Sequence, residues 1–202
     1  MKLSMRLFGA LMIAAALFVQ GCGSKEEDKK DFVTVSEMKL TAQNNRQVTF
    51  PEDFEGKVLV INFMFLNCPD ICPMTTNSMR MIQEESVKRG IKNLHFISIT
   101  FDPERDTVSA LRNYARIREY DLSNWHYLTG PRSDINALMK DFGIVAVSGD
   151  TTYSESGMPI YFYTHTDRIT VVDKNLKIRK NYKGSEIDLP NLIKDIKVIS
   201  EE

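Results

Sequence analysis

From Val58 to Phe65 the chain is apolar at seven of eight positions, the pattern of a strand covered on both faces. The other elements fall into phase around it. Ahead of it, Met38-Lys39-Leu40-Thr41 and Gln47-Val48-Thr49-Phe50 alternate about Asn44-Asn45 and predict a small leading hairpin. Behind it, Met74 to Lys88 predicts a helix with Met74, Ser78, Met81 and Ile82 on one face. Leu94 to Phe101 is the next strand, which makes a βαβ unit with a right-handed crossover. A second helix is predicted over about Thr107 to Tyr120, with Val108, Leu111 and Ala115 inward. Trp125 to Thr129 is a short strand ended by Gly130-Pro131. Ser133 can cap a third helix, in which Ile135, Leu138, Met139 and Phe142 recur at helical spacing before Gly143 stops it. Thr151 to Gly157 is polar and predicts a mobile loop. Ile169 to Val172 and Leu176 to Tyr182 predict a hairpin turning at Asp173-Lys174-Asn175. A last helix buries Leu189, Leu192, Ile193 and Ile196, with Pro190 tolerated in its first turn.

This order of elements gives an α/β fold, a three-layer domain of thioredoxin-like type with an N-terminal β-hairpin and an inserted hairpin, over residues 32–202. The preceding residues have a different character. Lys2 and Arg6 precede an apolar stretch, Leu7 to Val19, that is too short and wrongly flanked for a membrane span. Residues 1–21 are therefore expected to be a lipoprotein signal peptide. Val19-Gln20-Gly21-Cys22 resembles a bacterial lipobox, so Cys22 is the expected lipidation site. Residues 22–31 would be the lipidated cysteine and a charged tether (GSKEEDKKD) with nothing apolar to fold around. Cleavage leaves 181 residues, with 24 basic against 27 acidic side chains and a net charge of −3. With no basic block, a nucleic-acid partner has no electrostatic footprint.

Export changes the chemistry open to the two remaining cysteines, Cys68 and Cys72, in Phe65-Leu66-Asn67-Cys68-Pro69-Asp70-Ile71-Cys72-Pro73. Outside the cytoplasm a thiol pair is either kept reduced or used as a disulfide. Strand, cysteines, helix is an order that puts the pair at the carboxyl end of a central strand, where open α/β sheets build their sites. Pro69 biases Cys68 towards an extended backbone. Pro73 suits a first helical turn and makes Cys72 the expected N-cap, with a thiol acidified by the helix end. A purely structural disulfide is a poor explanation of the spacing. Closing a five-residue ring stabilises by only about 2 kcal/mol, against roughly 4–5 kcal/mol for a loop of a hundred residues.

Two chemistries remain: a redox-active pair, or two of three ligands to a metal with a histidine completing the set. Of the three histidines, His95 lies within a predicted strand and His126 beside Trp125, positions that suit packing or surface roles. His165, in Tyr163-Thr164-His165-Thr166-Asp167 just before a strand, is the better candidate. Two thiolates and an imidazole form a soft, low-coordinate site suited to Cu(I), while zinc could also use them with an open fourth position. Met64, Met74, Met79 and Met81 add sulfur nearby, but their apolar neighbours and helical spacing favour core packing.

Three motifs together resemble the SCO/SenC family: Cys68-Pro69-Asp70-Ile71-Cys72-Pro73, then Phe101-Asp102-Pro103-Glu104-Arg105-Asp106-Thr107, then Trp125-His126-Tyr127-Leu128-Thr129-Gly130. The resemblance covers roughly Phe32 to Ile199, and Phe54-Glu55-Gly56-Lys57 is also similar to the family's members. It implies a thioredoxin-like, copper-binding protein on the outer, periplasmic face of a bacterial cell membrane. The metal ligands it implies are Cys68, Cys72 and His165, holding Cu(I) or Cu(II). It implies a partner as well: the subunit of cytochrome c oxidase that bears the dinuclear copper (CuA) centre. Family members help assemble that centre by delivering copper, by reducing the subunit's cysteines, or both. An upstream copper donor or thiol reductant would complete the set. Such a protein is a metallochaperone and not a turnover enzyme; an extracytoplasmic thiol-disulfide oxidoreductase is the alternative. Against that alternative, the spacing is C-x-x-x-C and not the C-x-x-C of redox enzymes. The chain departs from its relatives at Thr164, where an Asp often precedes the histidine, and at Asn67, where a Thr- or His-like residue is expected. For Asp102 and Asp106 the expected role is a helix-capping carboxylate or one that supports a ligand from behind.

Overall fold

The computed structural model describes residues 35–157 and 159–202. The expected leader, Cys22 and the tether lie outside them. The elements run in chain order as β1 (Met38–Ala42), β2 (Gln47–Phe50), a 3-10 turn (Glu52–Phe54), β3 (Val58–Met64), α1 (Ile71–Lys88), β4 (Leu94–Thr100), α2 (Val108–Ile117), β5 (Trp125–Thr129) and α3 (Arg132–Asp141). There follow β6 (Ala146–Ser148), β7 (Thr152–Tyr153), β8 (Pro159–Ile160), β9 (Tyr163–His165), β10 (Ile169–Val172), β11 (Ile178–Tyr182) and α4 (Leu189–Glu201). Among the described residues, no helix is long and apolar enough to cross a membrane.

The apolar run becomes β3, buried at all seven positions in the middle of a seven-stranded sheet ordered β11-β10-β3-β4-β5-β1-β2. β4 and β5 lie parallel to it on one side, and β10 pairs antiparallel on the other, Ile169 opposite Asn62. The one polar residue of β3 is satisfied at its oxygen alone: Asn62 Oδ1 accepts a hydrogen bond from the Ser98 hydroxyl at 2.7 Å, while its buried Nδ2 has no partner among the described residues. The leading hairpin joins the sheet where β1 pairs with β5. Helices α1 and α4 pack on each other and on β3, while α2 lies against β5 and α3 against β1.

Helix α1 departs from its expected phase. It begins three residues before Met74, and its buried stripe runs through Cys72, Thr75, Thr76, Ser78, Met79, Ile82, Gln83 and Ser86, so that of the expected face Ser78 and Ile82 are buried. Met64 and Met79 are core residues, but Met74 and Met81 are exposed, at 44% and 37% of their surface. The stripe is more than half polar and so carries little hydrophobic periodicity. Several of those polar groups find partners: the Thr76 hydroxyl bonds the Cys72 carbonyl, and the Gln83 amide bonds Asp121 and Asn124, while the buried Ser86 hydroxyl has none among the described residues. At α3 the cap is Pro131 and not Ser133. The segment expected to be a polar loop holds a short ladder instead, Thr152 opposite Ile160. It belongs to an excursion between α3 and β10 whose other ladder pairs β6 with β9, Ala146 opposite His165. That ladder carries His165 back to the sheet.

Candidate metal centre

The chain turns sharply as it leaves β3. The Cys68 N–H reaches back to the Phe65 carbonyl at 3.4 Å, and helix α1 starts at Ile71 with Asp70 as its N-cap. The Asp70 side chain makes no capping bond. That service falls to Cys68, whose sulfur accepts the Cys72 N–H at 3.3 Å. The expected roles of the two thiols are therefore exchanged. Cys72 was expected to cap the helix and be acidified; it lies instead inside the first turn, 1% exposed, while the half-buried Cys68 sulfur faces the open N–H groups. The Cys72 thiol donates to Cys68, whose pKa falls to about 4, with the backbone N–H of Cys72 adding to the effect. By the same bond, and by burial, the Cys72 thiol is raised well above the ordinary range. The resting pair is one thiolate and one thiol.

The third group arrives from β9. His165 Nε2 lies 3.4 Å from Cys72 Sγ and 3.9 Å from Cys68 Sγ, and all three candidate ligand atoms fall within 4.8 Å of one another. The imidazole Nδ1–H donates to the Thr166 carbonyl at 3.0 Å, which leaves the Nε2 lone pair directed at the sulfurs. The ring packs against Phe65 and Phe101, with centroids 6.0 and 5.0 Å away, and Tyr163 seals these two rings from the side. With metal–sulfur bonds of about 2.3 Å and metal–nitrogen bonds of about 2.0 Å, a trigonal ion separates sulfur from nitrogen by roughly 3.7 Å. The observed 3.4 and 3.9 Å straddle that value, so the donor set fits a soft ion with little movement.

The carboxylates of the second motif serve this arrangement from behind. Asp106, 2% exposed, accepts the Thr100 hydroxyl at 2.6 Å and the Leu66 N–H at 3.1 Å, which fixes the turn leading into Cys68. Burial raises its pKa to about 6. Asp102, fully buried, pairs with Arg105 and accepts the Tyr161 hydroxyl at 3.3 Å. Arg105 in turn lies 3.6 Å over the Tyr161 ring and bonds its carbonyl, clamping the excursion that carries His165. Neither carboxylate caps a helix; Thr107 caps α2, accepting the Ala110 N–H. His95 and His126 stand at the opening of β4 and β5, the opposite end of the sheet from the cysteines. There they stack on each other with Nδ1 and Nε2 3.4 Å apart. Burial lowers both, His126 to about 4.

The geometry also exposes participants that no pattern in the chain had singled out. Phe65, Tyr161 and Tyr163 hold the histidine's surroundings, and Asp167 ties its segment down. Only adjacency to the quoted Cys68 and His165 motifs could have marked them.

Comparison with known proteins bears on this site. A putative copper-binding protein of Stutzerimonas stutzeri is 30% identical over 150 residues, spanning 74% of this chain and 69% of its own. A SCO1/SenC family lipoprotein of Bacillus anthracis has a solved structure that matches with a TM-score of 0.68 at 29% identity, over 83% of this chain and 95% of its own. BsSco, a member of the Sco family of cytochrome c oxidase assembly proteins in which a disulfide switch was identified, matches with a TM-score of 0.67 at 26% identity, over 84% and 94%. The fold is the thioredoxin-like one of these Sco structures. The SCO1/SenC family model matches residues 26–201, and the chain belongs to the SCO1/SenC family.

Proposed function

We propose that this protein is a copper-binding assembly factor that supplies the CuA-bearing subunit of cytochrome c oxidase. The observation that carries this reading is the convergence of Cys68, Cys72 and His165, three soft donors from two distant segments, within 4.8 Å. Sulfur-rich, low-coordinate sites favour Cu(I) over harder ions. The half-buried state of Cys68 and His165 leaves one side of the site open to an incoming thiolate, as metal transfer by ligand exchange requires. Relatives add support: the Stutzerimonas stutzeri relative is a putative copper-binding protein, and BsSco belongs to a family of cytochrome c oxidase assembly proteins. The chain works on the outer face of the bacterial cell membrane, cleaved after Gly21 and anchored by lipid on Cys22. The lipobox pattern supports this, as does the lipoprotein nature of the Bacillus anthracis relative.

A second role is compatible with the first. One thiolate beside one thiol is the resting form of a reductant, and the same pair can reduce the recipient's cysteines before copper is passed on. The disulfide switch of BsSco is in keeping with it. The deciding experiment is a Cu(I) titration of residues 24–202, reduced and oxygen-free, with Cys68→Ser, Cys72→Ser and His165→Ala alongside. One tight copper per chain, weakened in all three variants, is expected. Copper binding that ignores His165→Ala would remove the histidine from the site. Failure to bind copper, with a readily exchanged Cys68–Cys72 disulfide, would leave the oxidoreductase reading.

A further inference from the structure

Three segments of the site meet at one carboxylate that the chemistry above does not use. Asp167 stands two residues beyond His165, in the connection from β9 to β10. Its Oδ1 accepts the Thr75 hydroxyl at 2.9 Å and the Ser185 N–H at 3.0 Å. Its Oδ2 accepts the Ser185 hydroxyl at 2.5 Å and lies 3.1 Å from the same N–H. Thr75 follows Cys72 by three residues on α1, and Ser185 lies in the loop between β11 and α4. Gly184, beside it, lets the three segments close on one another.

The connection matters because of what the imidazole itself lacks. The His165 Nδ1–H bond goes to Thr166, its own neighbour, so it orients the ring without tying the segment to the cysteine helix. Asp167 makes that tie, through hydrogen bonds to a carboxylate, which are the stronger kind. We infer that Asp167 is a positioning residue: through Thr75 and Ser185 it holds the His165 segment at the distance from α1 that sets Nε2 against both sulfurs.

The test uses Asp167→Ala, Asp167→Asn and His165→Ala, with two independent readouts. The first is the imidazole NMR spectrum of the reduced, metal-free protein. In Asp167→Ala the His165 ring signals should shift and broaden while those of His95 and His126 stay in place, with Asp167→Asn intermediate. An unchanged His165 ring would overturn the inference. The second readout is Cu(I) affinity by chelator competition, and it alone rests on the copper-binding reading. Loss of an outer support of this kind weakens metal binding by about 10–100-fold, and Asp167→Ala should fall in that range. In the His165→Ala background the same substitution should change nothing further. An equal loss in that background would show that Asp167 acts through general stability and would overturn the inference. If the wild-type protein takes up no copper, the reading of the site fails, and the NMR spectra still decide the role of Asp167.

Discussion

Substituting Gly184 with alanine tests whether the tie at Asp167 is a close-packed device or a loose contact. A Cβ at this position would come within 2.6 Å of Asp167 Oδ1, 2.6 Å of Thr75 Cγ2 and 2.9 Å of Thr75 Oγ1. Carbon atoms settle at about 3.5–4.0 Å from their neighbours, so something must move by nearly 1 Å. Neither neighbour yields easily, because Thr75 is β-branched on a helix and Asp167 is held by Ser185. The Thr75–Asp167 bond, now 2.9 Å, would open beyond useful range. A hydrogen bond to a charged group contributes about 1.5–3 kcal/mol. Gly184 is not in the left-handed region, so alanine recovers about 0.4–1 kcal/mol by restricting the unfolded chain. The net expectation is a destabilisation of about 1–2 kcal/mol, which for a chain of this size lowers Tm by roughly 2–8 °C. Thermal unfolding of the reduced, metal-free protein measures it. Gly149→Ala is the control, since its Cβ would meet only the Phe162 carbonyl at an ordinary 3.5 Å. A Gly184→Ala protein as stable as the wild type would refute the close-packed account.

Two further expectations concern protons and thiols. His126 has a folded pKa of about 4, lowered from 6.5 by burial and by the charges of His95, Arg46 and Lys57. The unfolded state therefore binds the proton first, and the stabilisation is complete above pH 6.5 and lost as pH falls towards 4. A shift of that size could amount to about 3.4 kcal/mol at full strength; solvent reaching the half-exposed ring reduces it to about 1–2 kcal/mol. Asp106, raised to about 6, works with the opposite sign, its folded form gaining stability as pH falls through 6. The comparison that isolates the histidine is urea unfolding of wild type and His126→Gln at pH 7.5 and 5.0, where wild type should lose more; parallel losses would contradict it. Among the thiols, Cys68 should be alkylated by iodoacetamide well before Cys72 in the reduced, metal-free protein, because it holds the thiolate and is the more exposed. Mass mapping that finds Cys72 modified first would reverse the assignment of roles.

How far this site could be read from the chain depended on whether its determinants are local. The β3 run, the cysteine spacing and the helix after it are local, and they set the sheet's centre and the position of the pair without reference to anything distant. What differs close by is phase: a shift of the helix cap by two residues, from Cys72 to Asp70, exchanges capping sulfur for buried sulfur, and with it thiolate for thiol. The two prolines allow either start, so only the three-dimensional turn could decide. His165 is a different case. Its residue type fits a soft site, but 93 residues separate it from Cys72, and no periodicity spans that gap. What closes the gap is a set of pairwise contacts, each unremarkable in sequence: Arg105 on Tyr161, Tyr163 against Phe65 and Phe101, Asp167 on Thr75 and Ser185. A threonine on a helix, a serine after a glycine and an aspartate after a histidine carry no signal apart. Their meaning is a distance, the 3.4 Å from Nε2 to sulfur, and a distance of that kind is a property of the folded chain as a whole.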